Sequence, residues 1–122
     1  MVLVDTSIWI DHLHQGDATL QQLLIDGQVV VHPFVVGELA CGSLRDRTKV
    51  MGLLQQLASS LVAQHYEVLF LISRHQLMGR GLGYIDVHLL ASARLSPGTQ
   101  LWTRDKRLRL AAQELGLVSS YQ

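Results

Sequence analysis

The stretch Met1-Val2-Leu3-Val4-Asp5-Thr6-Ser7-Ile8-Trp9-Ile10-Asp11 opens the chain, and its reading decides the fold. A short apolar run stops on an aspartate, two hydroxyl residues follow at once, and an apolar pattern that can open a helix begins at Ile8. A strand ending on Asp5 sets that carboxylate at the carboxyl end of a sheet, where open α/β folds place their ligands. Asp5, Thr6 and Ser7 are equally good helix caps, so the local sequence leaves two readings open, capping or chemistry. Acids elsewhere that aim at the same edge decide between them.

Working outward, Ile8 to His14 reads as a short helix ended by Gly16-Asp17, and Asp17 caps a second helix over Ala18 to Asp26 that stops at Gly27. Gln28 to Val31 reads as a second buried strand. His32-Pro33 turns the chain into a helix from Phe34 to Cys41, since proline suits a first helical turn. Glu38 lies in that helix with Phe34, Val35, Cys41 and Gly42 one turn away, which predicts an acid on an apolar stripe, costly unless something compensates it. Residues 43 to 49 form a polar, basic turn. Thr48 to Ser59 then reads as an amphipathic helix carried by Val50, Leu53, Leu54 and Leu57, either scaffold or partner surface.

Tyr66 to Ile72 is compatible with strand or helix, and its continuation through Gln76 to Met78 favours a helix ending near Gly79. Gly79-Arg80-Gly81-Leu82-Gly83 lacks both the lysine and hydroxyl of a phosphate loop and the spacing of a dinucleotide fingerprint. Tyr84 to Leu95 is the next helix, with Asp86 in its first turn, where an acid also interacts favourably with the helix N-terminus. Pro97-Gly98 ends it. Leu101 to Thr103 is a short strand, Arg104-Asp105 follows at its carboxyl end, and Lys106 to Leu115 is a final helix closed by Gly116. Asp105 thereby repeats the placement of Asp5. Strands alternating with helices through short loops predict an α/β fold, a short parallel sheet sandwiched between helices.

The 122 residues have the length of one domain, which at this size buries roughly two-thirds of its unfolded surface. Nearly half the residues are apolar and charges are sparse, which excludes a disordered chain. The lone cysteine, Cys41, excludes an intramolecular disulfide and a cysteine-rich zinc site, and suits a reducing cytoplasm. The N-terminal apolar run is broken by Asp5 and Asp11 and has no basic start, so it predicts neither a targeting signal nor a membrane span, and a mature protein beginning at or near Met1. Net charge is zero, yet residues 1 to 44 hold five acids and every lysine and arginine lies from Arg45 onward. That balance argues against indiscriminate coating of nucleic acid without excluding a local anionic partner.

Four acids occupy comparable places: Asp5 and Asp105 end strands, Asp86 opens a helix, and Glu38 projects from another. Parallel strands all finish along one edge, so these carboxylates can meet there. Their mutual repulsion needs a counter-charge. Arg104 is one candidate, and a hard divalent cation is the better one, because oxygen-rich sites suit magnesium or manganese. His32, His65, His75 and His88 are scattered and read as surface or core.

The segments Val4 to Asp11, Val36-Gly37-Glu38-Leu39, Gly83 to Ala93 and Leu101 to Asp105 resemble, in order and over essentially the whole chain, the motifs of PIN-domain ribonucleases, specifically VapC toxins of bacterial toxin-antitoxin pairs. The resemblance implies one PIN domain over residues 1–122. It implies that Asp5, Glu38, Asp86 and Asp105 form the family's acidic quartet, which holds magnesium or manganese and activates water for phosphodiester cleavage. Thr6 or Ser7 and Thr103 would be hydroxyls that orient the acids. Some relatives carry a fifth acid just after the last; here Lys106, Arg107 and Leu108 follow, which weakens the case for a second tightly held metal.

Beyond the quartet, Arg80, Arg104, Lys106, Arg107 and Arg109 flank it and can form a basic rim for RNA or a solvated face. Trp9 and Trp102 lie near the acids, where core packing outweighs base stacking. The resemblance also implies a VapB-type antitoxin whose C-terminal segment covers the apolar and acidic groove, and a homodimer; the short, acid-broken apolar run predicts no membrane partner. Two other readings remain. One is a catalytically silent PIN-like module that binds RNA or protein. The other is an aspartyl-phosphate enzyme built on Asp5, which lacks a second acid at position 7 and an identifiable lysine site.

Overall fold

Strands β1 (Val2–Val4), β2 (Val29–Val31), β3 (Ala58–Ser59) and β4 (Gln100–Trp102) pair in the order β3-β2-β1-β4, parallel throughout, in a computed structural model that describes residues 1–121. Parallel neighbours need crossovers, and helices provide them. In chain order these are α1 (Thr6–Gln15), α2 (Ala18–Ile25), α3 (Pro33–Ala40), α4 (Arg47–Gln56), α5 (His65–Arg74), α6 (Tyr84–Leu95) and α7 (Lys106–Glu114). The α/β sheet read from the sequence is therefore the fold that forms. β1 is central, with Leu3 opposite Val30 on one side and Leu101 on the other, and all three of its residues are buried. A strand covered on both faces reads as a continuous apolar run, as Val2-Leu3-Val4 does.

Glycines set two of the helix-to-strand returns. Gly27 and Gly116 have φ of 65° and 71°, and the N–H groups of Gln28 and Leu117 reach back to the carbonyls of Leu23 and Ala112. This is the Schellman closure, which only a residue tolerant of positive φ completes cheaply. After Gly116 the chain turns along β4: Leu101 N–H donates to Leu117 O, Ser119 N–H donates to Leu101 O, and Leu101 bridges Val118 in parallel. The outer edge of β4 is thereby paired, which the sequence did not announce.

Three element boundaries depart from the sequence reading. α1 begins at Thr6 rather than Ile8, because Asp5 adopts the extended cap conformation and accepts the Thr6 N–H. The helix expected to run to Ser59 stops at Gln56, and Ala58–Ser59 becomes the edge strand β3, set against Val30 and Val31. Two serines and an edge in need of pairing outweigh the helical spacing of Leu57. The helix expected to run to Met78 ends at Arg74, and its terminator is hidden. Gln76 takes φ 52° where glycine is usual, Leu77 N–H bonds Ile72 O at 3.0 Å, and the Leu77 side chain is buried.

The core is one cluster spanning β1, β2, β4 and the inner faces of the helices. Among the described residues, no helix is long and apolar enough to cross a membrane. α6 immediately precedes β4 and must return the chain to the strand N-terminal edge, so its first turn lies at the C-terminal edge, with the ends of β1 and β4.

Candidate functional site

Asp5 leaves the end of β1, which is tied to the end of β4 by the bond from Asp5 N–H to Trp102 O at 2.9 Å. Its carboxylate is buried and takes three hydrogen bonds: Oδ1 accepts Thr6 N–H at 2.8 Å, and Oδ2 accepts the hydroxyls of Ser7 at 3.0 Å and Thr103 at 2.7 Å. Both hydroxyls also accept, Thr103 from Asp105 N–H at 3.1 Å and Ser7 from Arg104 N–H at 3.3 Å. Two strand ends, one helix start and the backbone on either side of residue 104 thus converge on one carboxylate. A carboxylate offers about four lone-pair directions, and these bonds use three.

Asp105 caps α7, its Oδ1 accepting the N–H groups of Arg107 and Leu108, both at 3.0 Å. The capping reading and the site reading are compatible here, because one oxygen suffices for the cap. Asp86 behaves alike at α6: its Oδ2 accepts Gly83 N–H at 2.9 Å. Glu38 departs from the expectation. Val35 and Leu39 form the buried stripe of α3, and Glu38, one residue round the helix from Leu39, is exposed rather than set among apolar groups. Its Oε1 accepts the Thr6 hydroxyl at 2.8 Å, which links α3 to the residue beside Asp5.

Electrostatics joins the four. Burial pushes the Asp86 carboxyl above its ordinary range, the Gly83 N–H pulls it partly back, and the charges of Asp5, Asp105 and Glu38 push it up again. Asp86 therefore lies near enough to feel the charge of each of the other three. Among the described residues no three such side chains come close enough to hold a metal ion by themselves. Magnesium does not require that, since it keeps several waters and takes one or two carboxylates with phosphate oxygens. The donor set is all oxygen, with Asp86, Asp105 and Glu38 each engaged through one oxygen, and it suits that kind of ion.

The basic residues divide. Arg104 is committed elsewhere: its guanidinium contacts Asp11 Oδ2 and Asp17 Oδ2, both at 2.7 Å, so it braces α1 and the start of α2 instead of neutralising the acids. The Leu20 N–H and then Arg104 hold the Asp17 carboxyl below its usual range, against the opposing effect of burial. Asp11 lies in the middle of α1 with this partner. Arg80 pairs with Glu114 at 2.8 Å. Arg107 lies across Gly81, where an added Cβ would come within 2.7 Å of its guanidinium. Lys106 is exposed, Arg109 half-buried. Trp9 and Trp102 are both buried, in accord with core packing.

One feature of the edge escaped the sequence reading. His32, Phe34, His88 and Tyr84 form a row of rings between α3 and α6, with centroids 4.9, 4.7 and 4.6 Å apart, and Tyr84 OH lies 2.6 Å from Nδ1 of His65. Helical spacing joins Tyr84 to His88, yet nothing in the sequence pairs them with Phe34.

The PIN domain family matches residues 2–114 of the chain. The chain is 50% identical over 118 residues to Ribonuclease VapC32 of Mycobacterium tuberculosis, in strains CDC 1551 / Oshkosh and ATCC 25618 / H37Rv, covering 97% of this chain and 95% of each relative. Among solved structures it is similar to FitAcB from Neisseria gonorrhoeae, with a TM-score of 0.62 at 19% identity over 93% of this chain and 94% of that one. A structure of FitAB bound to an IR36 DNA fragment gives a TM-score of 0.61 at 16% identity over 93% and 91%. These two likenesses concern the fold.

Proposed function

The chain belongs to the PIN-domain family, among VapC ribonucleases, and from that premise we propose that it is a metal-dependent endoribonuclease, the toxin of a toxin-antitoxin pair, which hydrolyses RNA phosphodiester bonds at the Asp5, Glu38, Asp86 and Asp105 edge. The observation that carries the reading is the convergence of the acids at the carboxyl edge of the sheet: Thr103 ties Asp5 to the backbone of Asp105, Thr6 bridges Asp5 to Glu38, and the Asp86 carboxyl is raised first by burial and then by the charges of the other three. Such a cluster is costly for a small domain to keep without a use. Magnesium or manganese, when bound, supplies Lewis acidity that lowers the pKa of a water and offsets charge on the phosphate.

The chain's own residues do the positioning. Thr103 and Ser7 fix the Asp5 carboxylate, Thr6 steers Glu38, and the caps of α6 and α7 orient Asp86 and Asp105. Substrate grip falls to Lys106 and Arg107, with Arg80 and Arg104 contributing only by exchanging their present carboxylate partners for phosphate. The cavity lined by Ile10, Leu13, Leu39 and Val50, with Glu38 among its walls, suits the C-terminal segment of a VapB-type antitoxin. Exposed Tyr66, Leu69 and Phe70 on α5 support a homodimer, and a cytoplasmic protein fits the single cysteine.

Purified protein freed of antitoxin is incubated with RNA, with and without magnesium or manganese. Cleavage that needs the metal is the expected result. Absence of cleavage under every metal condition would sink the nuclease reading in favour of a silent binding module. Mapping the ends of cellular RNA after induction then identifies the bond.

A further inference from the structure

RNA brings negative phosphates to an edge that is itself acidic, and two nearby arginines, Arg104 and Arg80, are already paired with carboxylates. An anchor that does not rely on charge is therefore of value there. Tyr84 supplies one. It stands at the first position of α6, two residues before Asp86 and next to Gly83, whose N–H holds the Asp86 carboxylate. The residue is 45% exposed, yet its side chain is held: the ring meets the buried His88 edge to face, with centroids 4.6 Å apart and planes at 85°, and its hydroxyl is 2.6 Å from His65 Nδ1. His88 rests in turn on Phe34, one turn before Glu38 on α3. The row of rings thus spans the two helices that carry Glu38 and Asp86, and its exposed end is Tyr84.

A ring immobilised in advance loses little freedom on binding, and proteins grip single-stranded nucleic acid by stacking bases on such rings. We propose that Tyr84, steadied by His65, is a stacking platform for a nucleobase flanking the scissile phosphodiester, an inference that rests on the ribonuclease reading above. Stacking tolerates any base, so this contact fixes the register of the strand against the acids and leaves sequence choice to other contacts.

The test uses the full chain, free of antitoxin, with magnesium or manganese and single-stranded RNA oligonucleotides carrying one abasic site at each position around the mapped cut. Tyr84→Leu, which keeps an apolar side chain but removes the π face and the hydroxyl, is expected to raise KM about ten- to a hundredfold while kcat changes by less than about threefold. Tyr84→Phe recovers most of that loss, and His65→Ala, which releases the ring, falls between. One abasic position raises the wild-type KM by a similar factor and adds nothing in Tyr84→Leu, as expected when both changes remove the same contact.

If wild type cleaves RNA and Tyr84→Leu shows its KM and its abasic profile, the platform is overturned and the ribonuclease reading stands, whatever the variant does to antitoxin association. If wild type cleaves nothing, both fail together. Should Tyr84→Leu not fold, the abasic series on wild type still decides, because no KM increase at any position beside the cut overturns the proposal.

Discussion

The Asp5 corner and the Asp86 turn hold the same chemical group in opposite circumstances. Asp5 is buried but receives three hydrogen bonds, two from hydroxyls that are themselves fixed by backbone N–H groups. Asp86 receives one, from Gly83, and carries the cost of burial, to which the charges of three other acids add. The strand-end acid is therefore a fixed point of the scaffold. The helix-start acid is the one whose carboxyl is raised, by burial first and then by its acidic neighbours. Equal placement at one edge does not mean an equal role.

The largest effect separates activity from stability at these two sites. Asp5→Asn and Asp86→Asn are both expected to lower cleavage by about a hundredfold or more while leaving the fold intact, read as single-turnover rates. Their melting should diverge. Asp5→Asn leaves donors facing an uncharged amide and loses about 1–3 kcal/mol, whereas Asp86→Asn relieves repulsion and melts no earlier than wild type. Asparagine at both positions with identical effects on stability would break the comparison.

Next comes a pH effect from the ring row that backs the edge. Burial, and then the charge of His88, lower the His32 imidazole from 6.5 to about 4, while its Nδ1 accepts Phe34 N–H as the cap of α3. Between those values the unfolded chain binds the proton that the folded chain refuses. Stability therefore declines as pH falls from about 6.5 towards 4, by up to about 3 kcal/mol, and is indifferent to this group above that window. Denaturant midpoints across pH 4 to 7 in wild type and His32→Asn measure it. A slope in that window unchanged by His32→Asn would contradict the assignment.

Thr103→Val sharpens the Asp5 side alone. It removes one donor to Asp5 Oδ2 and the acceptor of Asp105 N–H, for about 1–2 kcal/mol of stability and a fall in rate that Asp86 chemistry does not share. Smallest is Arg104→Ala. Its ion pairs with Asp11 and Asp17 are part-exposed, so their loss costs about 1 kcal/mol or less, diminishing further at high salt. A much larger loss would make Arg104 part of the corner itself.

Much of this was readable in the sequence where one local cause sufficed. Apolar runs gave the strands, Asp17 and Gly27 bounded α2, and Asp5 and Asp105 lay at strand ends because a strand, an acid and a helix follow one another. What escaped depended on partners distant in the chain. β3 exists because β2 has an edge to pair, and α5, which ends at Arg74, is followed by a left-handed glutamine, Gln76, that turns the chain so that Leu77 is buried. The sequence places both Phe34 and Val35 one turn from Glu38, and only packing tells which of the two points inward and so which face Glu38 takes. Arg104 reads locally as a counter-charge to the acids, whereas Asp11 and Asp17, remote from it in sequence, hold both arms of its guanidinium.

The most direct test of the central claim, that the four acids act as one cation site, is a calorimetric titration of manganese into the antitoxin-free protein and its Asp5→Asn and Asp86→Asn variants. Manganese is expected to bind wild type and to bind each variant at least about tenfold more weakly. Manganese binding of equal strength in all three proteins, or none in wild type, would contradict it.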